Sequence, residues 1–242
     1  MALAYAERLR VTLPKVREAI AEAARAAGRD PHEVRLVAVT KGHPPAALEA
    51  ALDAGLTDLG ENRVEELAEK VAALGRVPRA APAAAPGVRW HMVGHVQSRK
   101  AKTAVELADL IHSVDTLRLA ERLARAALES GRTVPLLAQV NSSGEAGKYG
   151  LSLAEAEDTV LAMAALEGLR VEGLMTMAPL TDDGTVLSAT FGRLRDLLGR
   201  LRTADARVGP ELSMGMTNDL AVAVRKGSTM VRIGTALFGE RG

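Results

Sequence analysis

Short apolar runs bounded by turn residues recur along the chain, with amphipathic stretches rich in Ala, Leu, Glu and Arg between them. The runs are VRLVAVT, GLTDLGE, VRWHMVGH, ADLIHSVD, VPLLAQVN, LRVEGLMTM, PELSMGM and MVRIGTALFG. The stretches between them include Ala46–Ala54, Glu61–Leu74, Leu117–Ser130, Leu153–Leu166 and Thr185–Leu201. A brief apolar run reads as a buried strand and a longer amphipathic stretch as a helix. Their alternation spells β-α-β units, and such units build a parallel sheet. Eight runs in 242 residues match the count and size of a closed (β/α)8 barrel of the α/β class. An open doubly wound sheet is the alternative, weakened because no Gly-x-Gly-x-x-Gly follows the first run. A helix-prone segment from Tyr5 to Ala27, closed by Gly28, adds an N-terminal helix that Pro14 is expected to kink or break. The Pro/Ala-rich stretch from Gly75 to Gly87 reads as a surface loop. The expectation is one barrel domain spanning residues 1–242.

Composition narrows the function classes. The chain is 48% hydrophobic but only 2% aromatic, so its core must be built from Leu, Val, Ile, Met and Ala. With 31 basic against 30 acidic residues there is no electrostatic case for nucleic acid or an anionic membrane as partner. The absence of cysteine excludes disulfides, thiolate metal sites and a cysteine nucleophile. The five histidines show no metal-ligand spacing, so no metal is expected. Glu7, Arg8 and Arg10 interrupt anything like a signal-peptide apolar region, and no run approaches the roughly 18 apolar residues of a membrane span. A soluble cytoplasmic protein is the expectation.

In a parallel barrel the functional groups gather at the C-terminal ends of the strands. Those ends carry Thr40-Lys41, Gly60-Glu61-Asn62, His91 with Gly94-His95, His112 with Asp115, Asn141, Thr176, Ser213-Met214-Gly215 and Arg232-Ile233-Gly234-Thr235. Lys41 reads in two ways: as an ammonium snorkelling into solvent, or as a partly desolvated amine able to attack a carbonyl. Gly234 and Thr235 follow the last run and offer backbone N–H groups and a hydroxyl to an anion, where barrels commonly bind phosphate. Ser213 and the small Gly215 stand at the neighbouring strand end, although glycines at such places also serve turns. Amine and anion site together point to a phosphorylated aldehyde or ketone. Alternation puts Arg232 on the opposite face from Val231 and Ile233, towards the interior. There it needs a partner, either a buried salt bridge with Glu61 or Asp115 or a ligand.

These residues resemble the YggS/PROSC group of pyridoxal-phosphate homeostasis proteins, related to the N-terminal barrel of alanine racemase. The resemblance covers nearly the whole chain. It rests on AVTK, DLGENRVEE, WHMVGHVQSRK, HSVD, NSSGEAGKYG, GLMTMAP and above all LSMGMTNDLAVAVRKGSTMVRIGTALFGER. It implies that Lys41 forms a Schiff base with pyridoxal 5′-phosphate and that Ser213, Gly234 and Thr235 hold its phosphate. Asn62, His91 and Met214 would line the cofactor, and Arg232 would face the pyridine nitrogen, weakening the ring as an electron sink. Gly42-His43 and Arg99 depart from the pattern common in the family, at positions with no implied cofactor contact.

A racemase needs proton-moving groups on both faces of its substrate, and the Schiff-base lysine is only one. In alanine racemase the other is a tyrosine from a separate C-terminal domain of a partner subunit, whereas this sequence ends at LFGERG after the eighth run. Of its two tyrosines, Tyr5 lies in the first helix and Tyr149 in the loop after the fifth run, where a packing role is expected. The leading expectation is therefore a monomer that holds and releases pyridoxal phosphate, passing it to apo-enzymes. A slow amino-acid racemase and a cofactor-free Schiff-base aldolase are the alternatives. Asp115 and Glu145 read as helix N-terminal or loop anions, and Arg99, Lys100 and Lys102 as a solvated helix face.

Overall fold

The computed structural model describes residues 2–74 and 87–240. All eight runs become parallel strands: β1 (Arg35–Val39), β2 (Asp58–Glu61), β3 (Arg89–Met92), β4 (Leu110–Val114), β5 (Val134–Gln139), β6 (Leu169–Met175), β7 (Glu211–Ser213) and β8 (Met230–Ile233). They pair in chain order, and β8 returns to β1 with Val37 opposite Arg232, which closes the barrel. Around it stand α1 (Ala2–Ala26), α2 (Pro45–Asp53), α3 (Val64–Ala73), α4 (Ala101–Leu107), α5 (Leu117–Glu129), α6 (Leu153–Ala164), α7 (Gly184–Ala204), α8 (Leu220–Arg225) and α9 (Thr235–Phe238). The open doubly wound alternative is excluded by this closure. Apart from Gly87, the Pro/Ala-rich stretch lies outside the described residues.

Alternation along each strand divides the core in two. Outward residues such as Leu59, Ile111, Leu136, Leu174 and Val231 join the helices in one large aliphatic cluster. Leu110, Leu137, Met175 and Met230 form a second, smaller cluster inside the barrel. The N-terminal ends of the strands are closed by charge: Arg35 Nε lies 3.7 Å from Asp58, Arg35 Nη1 3.6 Å from Glu211 and Arg89 Nε 3.8 Å from Asp58. Caps fix several helix starts. Ser152 and Glu155 make a reciprocal capping box on α6, and the Thr116 hydroxyl accepts the Leu119 N–H on α5.

Two sequence expectations are narrowed. Helix α1 is not broken at Pro14, the break that the proline allowed, and runs from Ala2 to Ala26. Pro14 is exposed, so water can satisfy the carbonyl it leaves unpaired, and the apolar stripe Leu9, Leu13, Val16, Ile20 and Ala24 continues across it. Within the amphipathic stretch Glu61–Leu74 the helix α3 starts only at Val64, while Glu61 ends β2, where the run GLTDLGE placed it. No helix among the described residues is long and apolar enough to cross a membrane.

Helix α1 packs against α2, α8 and α9. Because α9 is a single turn, α1 fills the place that a full helix after β8 would take. Its Leu9 is 1% exposed, so Leu9→Ala is expected to lower unfolding stability by about 2–5 kcal/mol in urea titrations, with a single transition retained. An unchanged midpoint would mean that α1 is an appendage to the barrel.

Candidate functional site

At the C-terminal ends of the strands a cavity of about 470 Å³ opens. Of the residues singled out in the sequence, Lys41, Asn62, Arg232, Gly234 and Thr235 line it. Lys41 comes from the turn after β1, Asn62 from the residue after β2, Arg232 from within β8, and Gly234 with Thr235 from the start of α9. Six further polar residues join them: His43 from the β1–α2 loop, Lys148 from the β5–α6 loop, Thr181 from the β6–α7 loop, and Thr217, Asn218 and Asp219 from the β7–α8 loop. The cavity thus gathers an amine, a guanidinium, hydroxyls and a side-chain amide over apolar walls such as Val39 and Val93.

The guanidinium is held from below by a column of hydrogen bonds. Arg232 Nη1 donates to Ser213 Oγ (2.6 Å) and Nη2 to the Thr176 carbonyl (2.9 Å). Ser213 Oγ is in turn 2.8 Å from His112 Nδ1, His112 Nε2 is 2.9 Å from His91 Nδ1, and His91 Nε2 is 2.9 Å from Asp58 Oδ1. The ionised Asp58 carboxylate only accepts, so His91 donates to it from Nε2 and, as a neutral ring, accepts at Nδ1. His112 therefore donates from Nε2 to His91 and accepts at Nδ1 from the Ser213 hydroxyl, whose oxygen accepts from Arg232. The direction of every bond follows from the carboxylate at the lower end and the neutrality of the two rings.

Both histidines are fully buried and neutral. Burial lowers the pKa of His91 against the pull of Asp58, and burial with the charges of Arg232 and Arg35 holds His112 well below the ordinary range. For Asp58, burial acts upward, but the His91 hydrogen bond and the charges of Arg89 and Arg35 outweigh it and keep the carboxylate ionised. Arg232 is pushed down to about 10 by burial, opposed by the Asp219 carboxylate, and stays a cation at neutral pH. Its carboxylate influence is therefore Asp219. Glu61 is instead bound to Lys70 (2.6 Å), and Asp115 lies 3.5 Å from His95 Nδ1.

Three expected site residues do not line the cavity. His91 and Ser213 lie below it in the column, completely buried. Met214 is in the outer aliphatic cluster, on the face of the sheet that meets the helices. The reason is strand length: β7 stops at Ser213, so SMGM does not continue as strand to the mouth. Gly215, with φ +102°, turns the chain, and a Cβ there would meet Ala223 of α8 at 2.7 Å. The hydroxyl that reaches the cavity from this segment is Thr217. Its signal in the sequence was a second hydroxyl residue in SMGMTND, on the loop side of the glycine. Tyr149 is 68% exposed and stacks on His95 with ring centroids 5.2 Å apart, outside the cavity lining. Glu145 pairs with Lys148. Arg99 turns to Gln97 and Lys100 to Glu65, at the surface.

The buried neutral histidines make stability depend on pH. In the unfolded chain each takes up a proton near about 6.5, while in the folded state its value is lower. Below about pH 6.5 the unfolded state therefore binds more protons, and this part of the stability falls as pH falls. The urea midpoint of the ligand-free protein is expected to drop between pH 7.5 and 5, and His112→Gln should flatten that drop. An equally steep drop in His112→Gln would contradict the assignment.

Comparison with known proteins agrees with this architecture. The family model described as alanine racemase, N-terminal domain, matches residues 11–242. The pyridoxal phosphate homeostasis protein of Pseudomonas aeruginosa is 41% identical over 230 residues, covering 95% of this chain and 94% of its own. That of Escherichia coli K12 is 36% identical over 230 residues, covering 95% of each. Among solved structures, PipY of Synechococcus elongatus with PLP bound superposes with a TM-score of 0.78 at 39% identity, covering 91% of this chain and all of that one. Alanine racemase of Clostridium difficile, at 13% identity and a TM-score of 0.77, shares the fold over 97% of this chain and 60% of its own. The chain belongs to the pyridoxal phosphate homeostasis protein family, built on the alanine racemase N-terminal domain.

Proposed function

We propose that this chain binds pyridoxal 5′-phosphate and serves its homeostasis, keeping a cytoplasmic reserve of the cofactor on Lys41 without robust turnover. The observation that carries the reading is the convergence of Lys41, Arg232, Thr217, Gly234 and Thr235 on one cavity. The donor set fits the group. A phosphate needs hydroxyls and free N–H groups, a ring nitrogen needs a partner in the plane of the ring, and an aldehyde needs an amine. When bound, the cofactor supplies an aldehyde that condenses with the Lys41 amine and releases water.

Thr217, Thr235 and the backbone at Gly234 take the phosphate in this reading, with Thr217 in the place first given to Ser213. Asn62 lines the cavity beside Lys41. His91, Ser213 and Met214 act at one remove: the first two orient Arg232 and Met214 packs β7 against the helices. Arg232, which stays cationic with Asp219 opposing the effect of burial, opposes a proton on the ring nitrogen and so favours holding over carbanion chemistry.

One observation favours a second reading, a slow racemase: Lys148 lines the same cavity and is a second amine. Hydrogen exchange at the α-carbon of alanine in deuterated water separates the two. No exchange is expected, and exchange that disappears in Lys148→Ala would support the racemase. The reserve reading also carries a monomer that hands the cofactor to apo-enzymes, and a concentration-independent dimer in sedimentation would contradict that part.

Titration of the purified protein with pyridoxal phosphate is expected to develop a visible absorbance band that borohydride removes. Thr217→Val should weaken uptake by about tenfold, the loss of one charge-assisted hydrogen bond. A protein that stays colourless and takes up none would overturn the reading in favour of the cofactor-free aldolase.

A further inference from the structure

Lys70, on the last turn of α3, is only 4% exposed. A buried ammonium needs an acceptor for each proton. Its Nζ donates to the Thr40 carbonyl (2.7 Å), Glu61 Oε1 (2.6 Å) and Glu66 Oε1 (2.8 Å). Those acceptors bracket Lys41. Thr40 precedes it and also donates its hydroxyl to Glu61 Oε1 (2.5 Å), while Gly42 follows it and donates its N–H to Glu66 Oε1 (2.5 Å).

The backbone between them is a tight turn. Thr40 N donates to Gly60 O (3.0 Å), the last ladder bond on this side of β1. The Thr40 carbonyl then accepts from His43 N (3.0 Å), with Lys41 and Gly42 at the corners and Gly42 at φ +73°. That φ favours glycine, which gives Gly42 a backbone role. Past the ladder, Lys70 and its two carboxylates hold the chain on either side of Lys41. Packing alone does not call for such a cluster, since an apolar side chain fills buried space with less desolvation. Glu61 makes the same point, because both of its bonds fall on Oε1 and its buried Oε2 has no partner. What the cluster supplies is direction.

We propose that Lys70 is a positioning residue for Lys41, clamping through Glu61 and Glu66 the turn that aims the Lys41 amine into the cavity. The proposal rests on the cofactor reading given above, while the clamp itself can be measured without cofactor.

The test uses Lys70→Met, of similar length and without charge, and two probes. Pyridoxal 5′-phosphate carries the aldehyde. Pyridoxamine 5′-phosphate carries an amine in its place and cannot condense with a lysine. Lys70→Met is expected to weaken retention of the aldehyde by about tenfold or more and to slow the rise of its visible band, because a misplaced amine loses its attack geometry. Binding of pyridoxamine phosphate should be unchanged. In the ligand-free variant, amide hydrogen exchange at Lys41–His43 should accelerate while that of β8 does not. Glu66→Gln, which keeps the acceptor but drops the charge, should shift the same readouts less, and it carries the test if Lys70→Met fails to fold. Unchanged exchange at Lys41–His43 overturns the clamp. Equal weakening of both probes overturns the positioning role, as does unchanged retention of the aldehyde. Uptake of neither probe by the wild-type protein would defeat the cofactor reading, and the exchange comparison would still decide the clamp.

Discussion

A guanidinium 5% exposed to water, inside a barrel whose other fillings are largely aliphatic, has to be solvated by the protein itself. Much of the interior of this chain follows from that requirement. Arg232 cannot accept a hydrogen bond, so the Ser213 oxygen accepts from it, and a chain of hydrogen bonds runs on from Ser213 through His112 and His91 to Asp58 at the opposite mouth. The ion pairs of Arg35 and Arg89 with Asp58 then anchor the lower end. A polar column crosses the barrel, and its upper end presents a cation to the cavity at a fixed place.

The cavity is therefore built from two kinds of support. Arg232 is set by the interior of the barrel, through residues that water does not reach. Lys41 is set from the outside, by α3 through Lys70 and Glu66. Thr217, Gly234 and Thr235 come from the loop and helix start that flank β8. A ligand that meets all of these at once needs an electrophilic carbon, an acceptor able to face a cation, and an anion.

The barrel was legible because parallel strands covered on both faces read as compact apolar runs, and the helices between them keep a separate period. Lys41 stood out as a charge at the end of the first such run, and alternation alone turned Arg232 inward. The same continuity hid how deep each polar residue sits. His91 and His112 lie inside runs with no marker of which layer they occupy, and Ser213 looked like a residue at the mouth because the length of β7 cannot be read from PELSMGM. Glu61 read both as the end of a strand and as the start of an amphipathic stretch because EELAEK follows closely. Its role depends on Lys70, nine residues away, and only the fold brings the two into contact. Pro14 misled for the opposite reason, since a local rule was outweighed by an apolar stripe that continues past it.

The central claim is that Lys41, among the lysines near the cavity, is the one aimed at a bound carbonyl. Borohydride reduction of the protein loaded with pyridoxal phosphate, followed by proteolysis and mass spectrometry, tests this directly. The account predicts a phosphopyridoxyl mass on the peptide that contains Lys41 and none on Lys148 or Lys70. The label on Lys148, with Lys41 unmodified, would contradict it.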